Sequence, residues 1–430
     1  MSGFHTSVML DAHKCNGCIN CLKRCPTDAI RVHKGKAAIT STQCIDCGEC
    51  IRICPYHAKK SRVEKFEKIQ NFDYKIAVPD QAVYGQFRNL KDLNIILTGL
   101  KRLGFDDVME VAAAAEYETL KMREYVEQNS DKWPLISTAC PTVVRLISIK
   151  FPSLIEHLLP VVNATELAAF EARRRAVKAT GIAPEKIGVF AISPCPAKIT
   201  ARIMPIGLEK SNLDGVFSIK DIYPDLLNKM NSLGDDIEDL SKAGRAGIRW
   251  GATSGEAIGL MKEGYIAADG IENVIRLLEK LEDEEFSELK FAELNACNGG
   301  CLGGVLNVEN PYLARAKIIS IRHDIDEFKY DYDMEDKELE EAMKWTKDVE
   351  YTPVFELSPD IKESIIMKAK VEELTKSFPG LDCGGCGAPS CRAFATDIVT
   401  EKEKHTDCPL KDSFEQLEGS YVAKKLNGKD

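Results

Sequence analysis

The sequence predicts an α/β protein in three parts: a central domain of α/β layers, an α+β head before it and a small helical tail after it. Three observations predict this. Short β-rich runs alternate with helical patterns between residues 72 and 350. A four-cysteine pattern occurs twice within residues 1–65, and a looser four-cysteine group follows a helical run within residues 355–430.

Composition sets the frame. The chain has 430 residues, 44% hydrophobic and 29% charged, as an ordinary globular protein does. Net charge is −10 with both signs interleaved, which argues against a broad nucleic-acid surface. The opening residues MSGFHTSVMLDAHKC lack a basic segment followed by an apolar one, so no signal peptide is expected. No run approaches the roughly 20 apolar residues that cross a bilayer. A cytoplasmic location is therefore expected, where the 16 cysteines bind metal rather than form disulfides.

In the head, CNGCINCLKRCP and CIDCGECIRICP are both C-x2-C-x2-C-x3-C-P, and each cysteine recurs 29 positions later. Three close thiolates grip one 4Fe-4S cubane, and the fourth crosses to the other cluster. Cys15, Cys18, Cys21 and Cys54 are thus expected on one cluster, and Cys44, Cys47, Cys50 and Cys25 on the second. The alternative is zinc, which ordinarily takes cysteine pairs separated by a longer spacer. Such a ferredoxin domain moves single electrons, and its clusters supply much of its folding energy.

In the middle, the β-rich runs are YKIAV (74–78), PLIST (134–138), KIGVFAIS (186–193), AGIRWG (246–251) and LKFAEL (289–294). EVAAAAEYETLKMREYVEQ and NATELAAFEARRRAVKAT read as helices. Ligands in α/β folds gather beyond the carboxyl ends of strands. Cys140, Cys195 and Cys297 follow three of these runs by two or three residues, and Cys301 shares the last loop. Gly299, Gly300, Gly303 and Gly304 allow close backbone approach to a bulky group. The alternative is four inert core cysteines.

STACPT, SPCPAK and ELNACNGGCLGG resemble the signature segments of iron-only (FeFe) hydrogenases, over roughly residues 72–310. The resemblance implies that Cys140, Cys195, Cys297 and Cys301 bind the H-cluster, a 4Fe-4S cluster joined to a diiron subsite carrying carbon monoxide, cyanide and an azadithiolate. Cys301 matches the bridging ligand, Lys198 the cyanide partner, and Ala77 a residue lining the diiron pocket. Ala139 stands where the family has its proton-relay thiol, Ser193 and Asn295 where it has methionines, and Ala201 where it has a glutamate. Hydrogen chemistry still needs a proton carrier. Glu256, in WGATSGEAIG, and Glu293, four residues before Cys297, are the candidates, salt bridging or capping being the alternative for each. The same departures mark the family's divergent, sensory branch.

In the tail, SPDIKESIIMKAKVEEL reads as a helix with Ser358 as N-cap and Pro359 at its first position. Cys383, Cys386, Cys391 and Cys408 follow with spacing C-x2-C-x4-C-x16-C. This resembles the small 4Fe-4S domain of corrinoid proteins and redox-pump subunits; zinc is the alternative. The acidic stretch YDYDMEDKELEEAMKWTKDVEYT before it reads as a solvated helix.

The expected function is reversible oxidation of H2 to protons and electrons, slow and sensory or regulatory. Expected partners are a redox protein such as a ferredoxin, or a signalling protein, with neither nucleic acid nor membrane. A non-catalytic electron-transfer or scaffold protein with a plain cubane is the rival.

Overall fold

The computed structural model describes residues 6–261, 263–283, 288–353, 357–400 and 408–410. Most of the tail beyond residue 400, apart from Cys408, lies outside these, as does the start of the head. The chain forms two compact units. One comprises Val8–Cys44, Glu49–Lys60 and Pro353–Asp430; the other comprises Met1–Ser7, Ile45–Gly48 and Ser61–Thr352.

In the first unit the strand pair β1 (Val8–Leu10) and β4 (Lys59–Ser61) accompanies the antiparallel hairpin β2 (Ile30–His33) and β3 (Lys36–Ile39). Its buried apolar core is small: Val8, Leu22, Ile30 and Ala37, with Cys21 and Cys50. So few apolar side chains are a weak basis for a stable domain without a further cross-link. The tail packs in the same unit. The guanidinium of Arg31 binds both carboxylate oxygens of Asp397, at 2.5 and 3.1 Å. Lys23 Nζ donates to Pro389 O at 2.8 Å, and Val32 N to Gly387 O at 2.9 Å.

The tail helix runs from Ile361 to Lys376, and its N-cap is Asp360 rather than Ser358. The Asp360 carboxylate accepts from the N–H groups of Lys362 and Glu363, a better acceptor for the first turn than a hydroxyl two residues earlier. Ser358 instead accepts from Asp360 N, and Pro359 precedes the cap. A second helix, Cys391–Val399, follows the third tail cysteine as expected.

The second unit holds two parallel sheets. One has the order β6–β5–β8–β9: Asp107–Val108, Tyr74–Pro79, Ile187–Ser193 and Gly215–Ser218. The other has the order β10–β11–β7: Tyr265–Asp269, Phe291–Asn295 and Leu135–Ile136. Every residue of β8 is buried, which explains its unbroken apolar run. The helices Val111–Gln128 and Ala164–Thr180 form where expected, the second capped by the Asn163 side chain on Thr165 N. Strands β6, β9 and β10 were not anticipated; the first is two residues long, and GVFS and YIAAD are short runs.

AGIRWG is helical, not a strand. Arg245–Ile248 is an α-turn and Arg249–Gly251 a 3-10 turn. A six-residue apolar run does not distinguish the two by period. Packing decides it: Gly247 lies so close to the long helix that a Cβ there would come within 1.7 Å of Ala112 O. Trp250 Nε1 also donates to Thr119 Oγ1 at 3.0 Å. Among the described residues, no helix is long and apolar enough to cross a membrane.

Candidate metal and proton-transfer site

Two of the central cysteines are built the same way. Cys140 and Cys195 are each the N-cap of a helix, Pro141–Lys150 and Pro196–Ile203, with proline at its first position. Proline loses nothing there, because the first-turn N–H groups have no intrahelical partner. The remaining N–H groups face the sulfur: those of Ala197 and Lys198 donate to Cys195. Helix N-termini of this kind suit an anionic group. Cys297 follows β11 by two residues, and Cys301 lies in the 3-10 turn Gly300–Gly303. Gly299 and Gly300 both have positive φ, and a Cβ on Gly300 would meet Thr253 N at 2.7 Å.

The thiols of Cys140, Cys195 and Cys301 lie close enough to act on one another's charge. Burial pushes the Cys195 thiol up to about 12 and Cys301 higher still; Cys140 adds to both, and Lys198 opposes. Bare thiols here stay protonated, and a metal that takes up thiolates removes that burden.

Beside these cysteines is a cleft of about 400 Å³, lined by Ala139, Lys198, Glu256, Glu293, Asn295, Cys301 and Trp250 among others. Lys198 is largely buried, and its ammonium lies 2.5 Å from Asp80 Oδ2 and 3.4 Å from Thr165 Oγ1. Burial disfavours its charge, but Asp80 and the Cys301 thiolate outweigh that and hold its pKa up.

Glu256 and Glu293 face this cleft 3% and 2% exposed, so neither forms a surface salt bridge. Glu293 accepts from Ser254 N and Ala257 N, both at 2.9 Å, and from Asn295 Nδ2 at 2.8 Å. Glu256 accepts from Ser137 Oγ at 2.7 Å. Burial raises both pKa values, and the charge of Glu293 raises Glu256 further. The cradle of donors favours the charged form of Glu293, so the shared proton resides on Glu256.

The departures from the hydrogenase pattern have local partners. Asn295 supports Glu293, and Ser193 Oγ accepts from Cys195 N at 3.2 Å. Ala139 lines the cleft, its carbonyl held by Asn163 Nδ2 at 2.5 Å. Ala77 is in the middle of β5, fully buried between Val108 and Phe190, and is not a lining residue. Sequence reasoning missed Asp80, Ser137 and Glu118. Asp80 directly follows β5, so the strand-end rule that found the cysteines also reaches it.

In the first unit the thiols sort as the swapped pattern requires. Cys21 feels the charges of Cys18, Cys54 and Cys15, while Cys50 feels Cys44 most and then Cys25. Backbone N–H groups point at sulfur: Ala29 N at Cys25, 3.2 Å; Ala58 N at Cys54, 3.3 Å; Ala37 N at Cys15, 3.5 Å. Lys59 is 3% exposed, its Nζ has no hydrogen-bond partner, and it acts on Cys21, Cys50 and Cys54 alike. A buried ammonium without an anion is costly, so this donor set fits negatively charged clusters. In the tail, Cys386 feels Cys408 and Cys383, and Gly385 N points at Cys383 sulfur at 3.4 Å.

Comparison with known proteins agrees with this geometry. Residues 7–55 match the "4Fe-4S dicluster domain", 76–222 the "Iron only hydrogenase large subunit, C-terminal domain" and 378–410 the "Putative Fe-S cluster" family. Cys140 and Cys195 lie within the second match; Cys297 and Cys301 lie beyond it. The NADP-reducing hydrogenase subunit HndD of Solidesulfovibrio fructosivorans is 22% identical over 378 residues, covering 69% of this chain and 64% of that protein. A subunit of the ion-translocating oxidoreductase complex of Methanosarcina acetivorans is 46% identical over 48 residues, 11% of this chain and 18% of that protein. Among solved structures, a variant of the FeFe-hydrogenase HydA1 of Chlamydomonas reinhardtii aligns with TM-score 0.47 and 16% identity, covering 67% of this chain and 97% of that one. The FeFe-hydrogenase HydA(deltaEFG) aligns with TM-score 0.48 and 14% identity, covering 66% and 96%. Residues 76–222 are thus a domain of the iron-only hydrogenase family, carried between two iron–sulfur domains in a chain that has diverged far from its relatives.

Proposed function

We propose that the chain interconverts H2 with protons and electrons at an H-cluster held by Cys140, Cys195, Cys297 and Cys301, and that it does so slowly, as a sensor. The observation that carries this is the convergence of Lys198, the Glu256–Glu293 pair and Cys301 on one cleft. When bound, the diiron group supplies an open iron position and an amine at which H2 is split heterolytically. Cys301 would bridge the cubane to it. Lys198 would offer a hydrogen bond to an anionic ligand. Glu256 would hold a proton at the cleft, with Glu293 as its ionised partner and Ser137 orienting it, in place of the thiol that Ala139 lacks. Electrons would leave through 4Fe-4S clusters on Cys15, Cys18, Cys21 and Cys54, on Cys44, Cys47, Cys50 and Cys25, and on Cys383, Cys386, Cys391 and Cys408. The redox or signalling partner would meet the chain near one of these.

The non-catalytic reading has one specific observation in its favour. Asp80 already neutralises Lys198, so the lysine does not need an anionic ligand to be stable. The two readings separate by HD formation from H2 in D2O, followed by mass spectrometry on cofactor-loaded protein. The hydrogenase reading expects HD from the wild type, lowered about 100-fold or more in E256Q and E293Q. No HD from fully loaded protein would leave the plain cubane.

A further inference from the structure

The Glu256–Glu293 pair is buried, so any proton it carries needs a route from the surface. Glu118, on the long helix, is 1% exposed, and its Oε1 has no hydrogen-bond partner. Glu256 and Lys198 both act on its charge, which puts it beside the cleft. Glu118 in turn acts on Tyr117 and Tyr332. These two rings lie 5.8 Å apart, both are buried, and neither hydroxyl has a partner. The guanidinium of Arg175 sits 5.0 Å over the Tyr332 ring and 2.7 Å from Asp331. There the seam reaches solvent, since the Arg175 side chain is 37% exposed and that of Asp331 19%.

Three orphaned polar atoms in one buried region would each cost about 1–3 kcal/mol if dry. Native proteins ordinarily satisfy such groups with internal water. We infer that Glu118 Oε1 and the hydroxyls of Tyr117 and Tyr332 border an internal water chain that carries protons between Glu256 and the surface at Arg175 and Asp331. Only O–H bonds form and break along it: a proton enters from bulk water, Glu118 takes it up, and an equivalent proton passes to Glu256. The direction reverses when the cleft releases protons. The proton-carrying role rests on the proposed function of the Glu256–Glu293 pair; the water chain itself does not.

The test uses the full chain with its clusters but without the diiron group, so hydrogen chemistry does not enter. Stopped-flow infrared follows exchange of the protonated Glu256 carboxyl, identified by its loss in E256Q, after mixing into D2O. The expected result is exchange slowed about tenfold or more in E118L and E118Q, and less in Y332F. The glutamine variant preserves shape should the leucine variant fail to fold. Wild-type exchange rates in E118Q and Y332F together would overturn the conduit. A high-resolution crystal structure is the second arm. Ordered water bonded to Glu118 Oε1 and Tyr332 Oη is expected, and three dry atoms would overturn the water chain. Absence of any protonated carboxyl band in the wild type would contradict the acid-pair reading itself, and the crystal arm would still decide the water chain.

Discussion

Lys59 and Lys198 are both lysines set among cysteines, and their surroundings differ in one respect. Lys198, beside the central cleft, has Asp80 at 2.5 Å; Lys59, in the ferredoxin-like unit, has no hydrogen-bond partner. A buried ammonium must meet a negative charge somewhere. In the first unit that charge has to come from what the cysteines hold. In the central unit the protein supplies it from its own chain. The head is therefore organised around its clusters, whereas the central cleft is electrostatically complete before any cofactor arrives. That difference suits a site loaded late, after the domain has folded.

The largest effect that breaks this contrast is at Asp80. D80N leaves the Lys198 ammonium buried and unpaired, and a loss of about 3–5 kcal/mol in denaturant unfolding of the cluster-reconstituted chain is expected. The double variant D80N/K198M should recover most of it; no loss in D80N would show that the pair is not what balances Lys198.

Next comes the acid pair. Glu256 has a folded pKa raised by burial and by Glu293, so the unfolded chain releases its proton first as pH rises. This contribution to stability is complete below the ordinary carboxylate value, is lost between about pH 5 and 8, and levels off above. E256Q has no such proton to lose. Relative to wild type it should gain on the order of 2 kcal/mol across that window, read as a pH series of denaturation midpoints. Parallel pH profiles would remove the buried-acid argument.

At Lys59 the expected change is in potential. K59M takes a positive charge from beside Cys21, Cys50 and Cys54, so reduction of the head clusters becomes harder. Midpoints in an EPR-monitored titration should fall by about 60 mV, roughly 1.4 kcal/mol for one electron. Unchanged potentials would mean that Lys59 is neutralised by something other than the clusters.

The smallest effect is at the tail. D397N weakens the bidentate contact with Arg31 and should cost about 1 kcal/mol, seen as faster proteolysis of the tail with the central domain unaffected.

Legibility in the sequence followed the range of each interaction. Local patterns were plain: the duplicated cysteine runs, the strand β8 and the two long helices rest on spacing and period alone. AGIRWG failed because a helix packed through Gly247 and a buried strand look alike over six residues. Ser358 failed as a cap because Asp360, two residues on, is the stronger acceptor. In the cleft, Glu256 and Glu293 were recoverable from their loops. Asp80 and Glu118 were not singled out, since what marks them is a partner, or a missing one, far away in the chain. Ala77 shows the converse: an alignment placed it at the pocket, and the fold leaves it inside the sheet.

The measurement that bears most directly on the hydrogenase reading is an anaerobic infrared spectrum of cluster-reconstituted protein after incubation with the diiron cofactor and removal of the excess. Carbon monoxide and cyanide bands that stay with the protein, sharpen on binding and shift under H2 are expected. Bands lost with the free cofactor, from protein whose cubanes are intact, would contradict the reading and make the central site a plain iron–sulfur centre.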